Sequence, residues 1–264
     1  MTNLQAIIMG IFQGIGEFLP ISSSGHLVIL HHLFGIEEPA LTFDIIVHLG
    51  SLIAIMVVFW SDIWKLMKNP FSKMTGLLIV GTIPVVAVGF FARDLVENYL
   101  RSGVFLAAAF TLTGFLLMFA DRFTTGKKED KDITYVDAIV VGVMQALALP
   151  PGISRSGMTI TGALARGIKR ESAARFSFML ALIAIAGAGV LETFTVVRSG
   201  EPFNYPVGYT QMFIGFVVSM VVSYLCIKLL LKLIKACKLR YFSYYLWVLA
   251  ALIALDFFVI NTFF

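Results

Sequence analysis

The chain reads as an all-α, polytopic membrane protein: an inverted-topology repeat of six transmembrane helices plus two re-entrant helical hairpins. Three observations predict this class. The 264 residues are 59% apolar and 14% charged, with a mean hydropathy of +0.90. Several uncharged runs approach the roughly 20 residues a helix needs to cross a bilayer. One stretch also occurs twice: residues 10–29 read GIFQGIGEFLPISSSGHLVI and residues 142–161 read GVMQALALPPGISRSGMTIT. The offset of 132 is half the chain and needs no gap. Six of the twenty positions are identical: Gly10/Gly142, Gln13/Gln145, Ile21/Ile153, Ser22/Ser154, Ser24/Ser156 and Gly25/Gly157. Hydrocarbon offers backbone groups no water to pair with, so spanning segments have to be helical.

In chain order, an apolar stretch over about 4–19 is broken by Pro20 and by Ser22-Ser23-Ser24-Gly25, and a short apolar piece follows over about 26–34. Neither piece spans a bilayer comfortably, and the break between them predicts two half-helices meeting at a turn inside the membrane. Longer segments follow at about 42–60, 76–92 and 104–120. The linker 121–135, DRFTTGKKEDKDITY, is the most polar part of the chain. The second half repeats the order. A short segment, 136–149, ends at Pro150-Pro151-Gly152, then comes Ser154-Arg155-Ser156-Gly157, a short piece to about 165, and long segments at about 176–197, 210–231 and 243–261. The expected organisation is one membrane domain, 1–264, with repeats of about 1–120 and 136–264 joined by that linker.

Parity sets the symmetry. A hairpin that enters and leaves by one face does not change sides, whereas three spans do, so the halves are expected to insert in opposite orientations. Positive charge gives an independent reading. Lys65, Lys68 and Lys73; Arg122, Lys127, Lys128 and Lys131; Arg166, Lys169, Arg170 and Arg175; and Lys232, Lys235, Lys238 and Arg240 all fall on one side of this topology, the cytoplasmic one. The opposite loops carry Arg93, Arg101 and Arg198, partly offset by Asp94, Glu97 and Glu201. Both termini and the first hairpin are then expected at the outer face, with the second hairpin entering from the cytoplasm and the tips meeting near the midplane. The net charge of +4 belongs to this topology rather than to a nucleic-acid surface, and no nucleic-acid partner is expected. MTNLQ carries no basic region or cleavage site, so the first apolar run is not read as a signal peptide. Cys226 and Cys237, eleven apart, fit neither a bridge nor a metal motif and read as packing residues.

The differences between the two copies point to chemistry. Glu17 faces Leu149, Ser23 faces Arg155, and His26 faces Met158. Candidate catalytic residues are Glu17, Ser23, His26 and Arg155; candidate substrate-binding residues are Gln13, Ser24, Ser154, Ser156 and Thr159. Charge at membrane depth is costly and normally serves a function. The Arg155 guanidinium suits phosphate, and serine hydroxyls with half-helix N-termini add anion donors. His26 suits a proton carrier or nucleophile; Glu17 suits a base, an orienting group for His26 or a divalent-cation ligand. The inventory fits phosphoryl transfer at the membrane. The plainer readings are that the serines cap helices, that Arg155 is a structural cation paired with Glu17, and that His26 is a hydrogen-bonded interior residue. Asp44 and His48, one turn apart, read as hydrogen-bonding or packing residues, and Glu192 and Asp256 as residues of the outer ends.

Over its whole length the chain resembles the bacitracin-resistance family of undecaprenyl diphosphate phosphatases. The likeness is most specific in Gln13-x-x-x-Glu17, in Phe18-Leu-Pro-Ile-Ser-Ser-Ser-Gly-His26 and in Pro151-Gly-Ile-Ser-Arg-Ser-Gly-Met-Thr159. The resemblance implies removal of one phosphate from undecaprenyl diphosphate, a C55 isoprenyl lipid, to recycle the carrier for cell-wall synthesis. It implies a divalent cation, Mg2+ or Ca2+, and an active site open to the outer face of the bacterial plasma membrane. Glu17, Ser23, His26, Ser154, Arg155 and Thr159 fall on the family's functional positions. Position 13 is Gln where some members carry Glu, which leaves the metal chiefly to Glu17. Ser23, His26 and water activated by His26 all stay open as the attacking group. A lipid-phosphate transporter using the same midplane site is the alternative, since broken helices in inverted repeats also mark transporters. Membrane lipid is an expected partner, and the sequence is compatible with a homodimer without requiring one.

Overall fold

The computed structural model describes residues 1–36, 41–91, 102–123, 126–199, 207–234, 238–260 and 262–263, with backbone alone at 41, 192–193, 195–199 and 233. Arg93, Asp94, Glu97, Arg101, Glu201, Lys235 and Cys237, and the side chains of Glu192 and Arg198, lie outside the described residues. Helix α1 (Asn3–Phe18) opens on a capping box: Gln5 N donates to Thr2 Oγ1 at 3.3 Å, and Thr2 N donates to Gln5 Oε1 at 2.7 Å. It stops just before Pro20, and α2 (Ser23–Leu33) starts after a break of a few residues. Then come α3 (Leu41–Val58), α4 (Trp60–Lys68), α5 (Lys73–Phe91) and α6 (Gly103–Ala120). The second half supplies α7 (Tyr135–Ala146), α8 (Arg155–Ala165), α9 (Arg170–Ser199), α10 (Tyr209–Leu233) and α11 (Arg240–Leu255), which runs on into a π-helical turn, Asp256–Ile260.

Among the described residues, five helices are long and apolar enough to cross a membrane: α5, α6, α9, α10 and α11 with its π-turn. A sixth span forms if α3 and α4 count together, and that pair bends by 76° at Phe59. The chain is a multi-pass membrane protein. The two hairpins, α1–α2 and α7–α8, are the short broken elements expected from Pro20 and from Pro150-Pro151-Gly152.

Packing follows the small residues. Helix α1 lies along α10, and α10 along α3; α7 lies along α5, and α11 along α6. Glycines permit close crossings in both halves. A Cβ on Gly10 would sit 2.9 Å from the Gly215 carbonyl oxygen, and one on Gly142 would sit 2.2 Å from that of Gly81. Backbones approach this closely only where neither side carries bulk. Helix α9 touches α3, α5 and α8, and α8 also touches α6 and α1. Phe18, Phe59, Phe110, Phe176 and Phe178 fill the core around the hairpins.

The described residues of the four basic clusters converge on one end of the bundle. Asp121 accepts from Arg170 Nη2 at 3.1 Å and from the backbone N–H of Leu239 and Arg240 at 3.0 and 3.2 Å. Asp137, fully buried, accepts from Lys128 Nζ at 3.0 and 2.9 Å, from Arg166 Nε at 2.7 Å and from the Thr134 hydroxyl at 2.8 Å. Arg175 pairs with Asp62 on α4 and, at 3.5 Å, with Asp130 of the linker. At the opposite end, Gln211 of α10 donates to Asn3 of α1 at 2.9 Å. Asp256, read from the sequence as a residue of an outer end, stands at the end of the last helix and is buried there rather than met by solvent or headgroups. It accepts from the N–H groups of Thr262 and Phe263 at 3.3 and 3.1 Å, so it ties down the chain after α11.

Candidate active site

The breaks of the two hairpins meet. A Cβ on Gly25, in the first turn of α2, would lie 2.9 Å from the Cα of Gly152, which sits in the break before α8 at φ +89°. Each second half-helix starts at this junction with a serine cap: Gly25 N donates to Ser22 Oγ at 3.3 Å, and Gly157 N donates to Ser154 Oγ at 3.1 Å. Ser156 Oγ crosses between the hairpins and donates to the Leu19 carbonyl at 3.1 Å. Two half-helix N-termini therefore meet in one place, an arrangement that favours an anion.

Glu17 is the centre of the polar network. It is buried near the end of α1. One oxygen, Oε2, accepts from Ser23 Oγ at 2.6 Å and from Gln13 Nε2 at 3.0 Å. The other, Oε1, accepts from Arg155 Nη2 at the start of α8, so acid and guanidinium from different halves form one ion pair. The plainer sequence reading, Arg155 paired with Glu17, describes this contact but not the whole side chain. Arg155 Nη1 is buried with no partner among the described residues, and so is Gln13 Oε1. A buried donor without an acceptor costs about 1–3 kcal/mol, so the site keeps a guanidinium N–H ready for an anionic oxygen.

The remaining candidates divide. Ser154 Oγ is a cap and lies 3.2 Å from Ser156 Oγ; Ser24 Oγ lies 3.3 Å from Ser22 Oγ. Thr159 Oγ1 is buried between the Arg155 carbonyl, 2.8 Å away, and Ser177 Oγ, 2.5 Å away, so it supports the backbone that carries Arg155. His26 stands apart from the Glu17–Arg155 pair. Its Nδ1 donates to the Ser22 carbonyl at 2.7 Å and its Nε2 lies 2.6 Å from the Tyr245 hydroxyl.

Three participants were not singled out as site residues by sequence. His48 Nδ1 donates to the Asp44 carbonyl at 2.6 Å, which turns Nε2 toward Glu17 Oε2 at 3.7 Å. Ser51, one turn on along α3, receives Gln13 Nε2 at 3.4 Å and lies 2.9 Å from Ser223 of α10. Tyr245 reaches His26 from α11. The Asp44/His48 spacing was the one visible signal; Ser51 and Tyr245 sit in apolar helices with nothing local to mark them.

The donor set bears on a divalent cation. Hard cations take oxygen ligands, and Mg2+ often uses one or two carboxylates plus substrate phosphates rather than a protein cage. Among the described residues no three His, Cys, Asp or Glu side chains gather in a metal-binding group. The Glu17 carboxylate and the unpartnered Gln13 Oε1 together fit a cation shared with phosphate oxygens.

The sequence model of the family described as Bacitracin resistance protein BacA matches residues 6–252. The chain belongs to the BacA family. It is 42% identical over 253 residues to the undecaprenyl-diphosphatase of Carboxydothermus hydrogenoformans, covering 96% of this chain and 97% of the relative. It is 42% identical over 259 residues to that of Thermodesulfovibrio yellowstonii, covering 97% and 98%. Against that of Alkaliphilus metalliredigens it is 38% identical over 275 residues, again covering 97% and 98%. The match to the BacA family includes both hairpins and every candidate site residue, from Gln13 to Thr159, together with Tyr245.

Proposed function

We propose that this chain is an integral-membrane undecaprenyl-diphosphatase. It hydrolyses undecaprenyl diphosphate to undecaprenyl phosphate and inorganic phosphate, which recycles the lipid carrier for cell-wall synthesis and confers bacitracin resistance. The observation that carries the assignment of roles is the Glu17 carboxylate, bonded on one side to the Ser23 hydroxyl and on the other to Arg155, whose Nη1 has no partner among the described residues.

The isoprenoid chain lies in the bilayer and the diphosphate head at the crossing of the hairpins. Arg155 Nη1 and the first-turn N–H groups of α2 and α8 hold phosphate oxygens. Ser23 Oγ attacks the terminal phosphorus while its proton passes to Glu17 Oε2. The Oγ–P bond forms, the bond from that phosphorus to the bridging oxygen breaks, and undecaprenyl phosphate leaves. Water then attacks the phosphoserine phosphorus, the P–Oγ bond breaks as the new O–P bond forms, Glu17 returns its proton to Ser23 Oγ, and the proton released by water departs with inorganic phosphate. Ser23 is favoured over His26 because its hydroxyl already faces a base, whereas both His26 nitrogens face other partners. A divalent cation, Mg2+ or Ca2+, held by Glu17, Gln13 Oε1 and the substrate would neutralise charge on the phosphate oxygens.

The ionic end of the bundle faces the cytoplasm of the bacterial cell, by the excess of Lys and Arg in short loops. On this reading both termini lie at the outer face. The partly exposed His48 of α3 lies 3.7 Å from the buried Glu17 carboxylate. Two inverted repeats account for the paired packing: α1 crosses α10 as α7 crosses α5.

The test is phosphate release by the purified protein in detergent, where no second compartment exists and lipid transport is silent. Ser23→Ala, Glu17→Gln and Arg155→Lys are each expected to lower kcat/KM by about 100-fold or more while the protein stays folded. Brief quenching with labelled substrate is expected to leave phosphate on Ser23. Phosphate on His26, or full activity in Ser23→Ala, overturns the assignment of Ser23; no hydrolysis by the wild type overturns the enzyme.

A further inference from the structure

His26 is buried, with 3% of its surface accessible, yet it keeps two polar contacts whose directions can be worked out. The partner of Nδ1 is the Ser22 carbonyl at 2.7 Å, and a carbonyl only accepts, so Nδ1 carries a hydrogen. In the neutral ring Nε2 then presents a lone pair, and the atom 2.6 Å from it is the Tyr245 hydroxyl oxygen. The phenol must donate. Around this pair the ring is boxed in: Phe12 stacks on it at 5.5 Å, Phe110 meets it edge-on at 5.5 Å, and the Tyr245 ring lies within 4° of its plane. Tyr245 stands 219 residues from His26, on α11 of the other half, and packs through that helix on α6, which also carries Phe110.

We propose that Tyr245 is a positioning residue of the phosphatase, one that fixes the tautomer and plane of His26 and covers its single free lone pair. When Nε2 takes up a proton, the Tyr245 O–H rotates away and the phenol oxygen accepts the new Nε2–H. The same contact then holds the imidazolium, and Tyr245 keeps its own proton throughout. In the phosphatase His26 is then not the nucleophile: it holds, for as long as hydrolysis of the phosphoserine lasts, the proton released by the attacking water, before that proton departs with inorganic phosphate. Tyr245 is 42% exposed while His26 is buried, so the phenol is the outermost member of the pair. The proposal rests on the phosphatase reading for its kinetic consequence, but the hydrogen bond itself can be tested without turnover.

The experiment uses the full chain in detergent with 15N-labelled histidine, comparing wild type with Tyr245→Phe, which keeps the ring and its packing. The His26 resonances are assigned by their loss in His26→Gln. In the wild type, a protonated Nδ1 and an unprotonated Nε2 are expected; in Tyr245→Phe the Nε2 resonance is expected to move downfield as it loses its donor. For hydrolysis of undecaprenyl diphosphate, Tyr245→Phe is expected to lower kcat about tenfold, the scale of one hydrogen bond, with KM changed less than about twofold. An Nε2–H tautomer in the wild type, an Nε2 resonance unmoved by the substitution, or a kcat equal to wild type each overturns the proposal. A wild type that releases no phosphate overturns the phosphatase reading instead, and the resonance shift then still decides whether Tyr245 holds His26.

Discussion

Ser22 carries the sharpest local compromise. It is the only non-glycine with a left-handed φ, 68°, among the described residues, and its repeat mate Ser154 has an ordinary φ of −75°. An L-residue there costs roughly 1–2 kcal/mol. The conformation turns the Ser22 carbonyl toward His26, where it accepts from both the backbone N–H at 3.2 Å and Nδ1 at 2.7 Å. Strain at the break is thus exchanged for a fixed imidazole. Glycine relieves the strain and loses only a few tenths of a kcal/mol of cap, whereas alanine keeps the strain and loses about 1 kcal/mol of cap. Ser22→Gly is therefore expected to hold or raise Tm in detergent, and Ser22→Ala to lower it. The reverse order would mean that the hydroxyl matters more than the backbone.

At the scale of elements, the hairpins are seated by glycine crossings and differ in their polar load. A Cβ at Gly142 would enter the Gly81 carbonyl, backbone against backbone, so Gly142→Ala is expected to cost about 1–3 kcal/mol and to push α7 off α5. Gly187, on an open face of α9 with nothing within 4 Å, is the contrast: Gly187→Ala is expected to leave Tm unchanged or raise it, by up to about 1 kcal/mol of helix propensity. Equal losses in both variants, read by thermal unfolding, would sink this account of the crossings. The two repeated glutamines also part company. Gln13 bonds Glu17 and Ser51, whereas Gln145 is buried with neither amide atom partnered among the described residues. Gln145→Leu is accordingly expected to raise stability by about 1 kcal/mol without loss of phosphatase activity, and a drop in both would show that Gln145 has a polar partner.

At the scale of the molecule, the ionic end ties the linker to both halves. Asp137 joins Lys128 of the linker to Arg166 after α8 and to the cap of α7, so one carboxylate anchors the second hairpin. Asp137→Asn leaves two partly exposed cations, Lys128 and Arg166, without their carboxylate and is expected to cost about 1–3 kcal/mol, seen as a fall in Tm or in folded yield. Nearby, Lys169 Nζ lies 2.5 Å from Glu129 Oε1 and holds the exposed Glu129 carboxyl below its usual range. A depressed folded-state pKa contributes stability above the ordinary carboxylate value near 4.3, and that contribution is lost as pH falls through the folded value. The Tm difference between wild type and Glu129→Gln is therefore expected to be present at neutral pH and to close on acidification, while high salt shrinks it at any pH.

By itself the sequence determined the class of this protein. Uncharged runs, the prolines at two breaks and one repeated stretch were enough for spans and hairpins, because a bilayer allows so few backbone solutions. It also singled out the candidate site residues of the breaks, since charge there stands out against 59% apolar composition. Tertiary structure alone decided which of them touch. Glu17 and Arg155 are 138 residues apart, and their pairing depends on how far each hairpin reaches. Ser51 and Tyr245 lie in helices whose periodicity reports only lipid and core, so their hydroxyls gain meaning from the elements packed across from them. The 76° bend after α3 was likewise invisible, because Phe59-Trp60 continues an apolar run without a breaker. Local composition is written along the chain, whereas the partner of a buried polar atom is set by packing between segments that the chain does not place side by side.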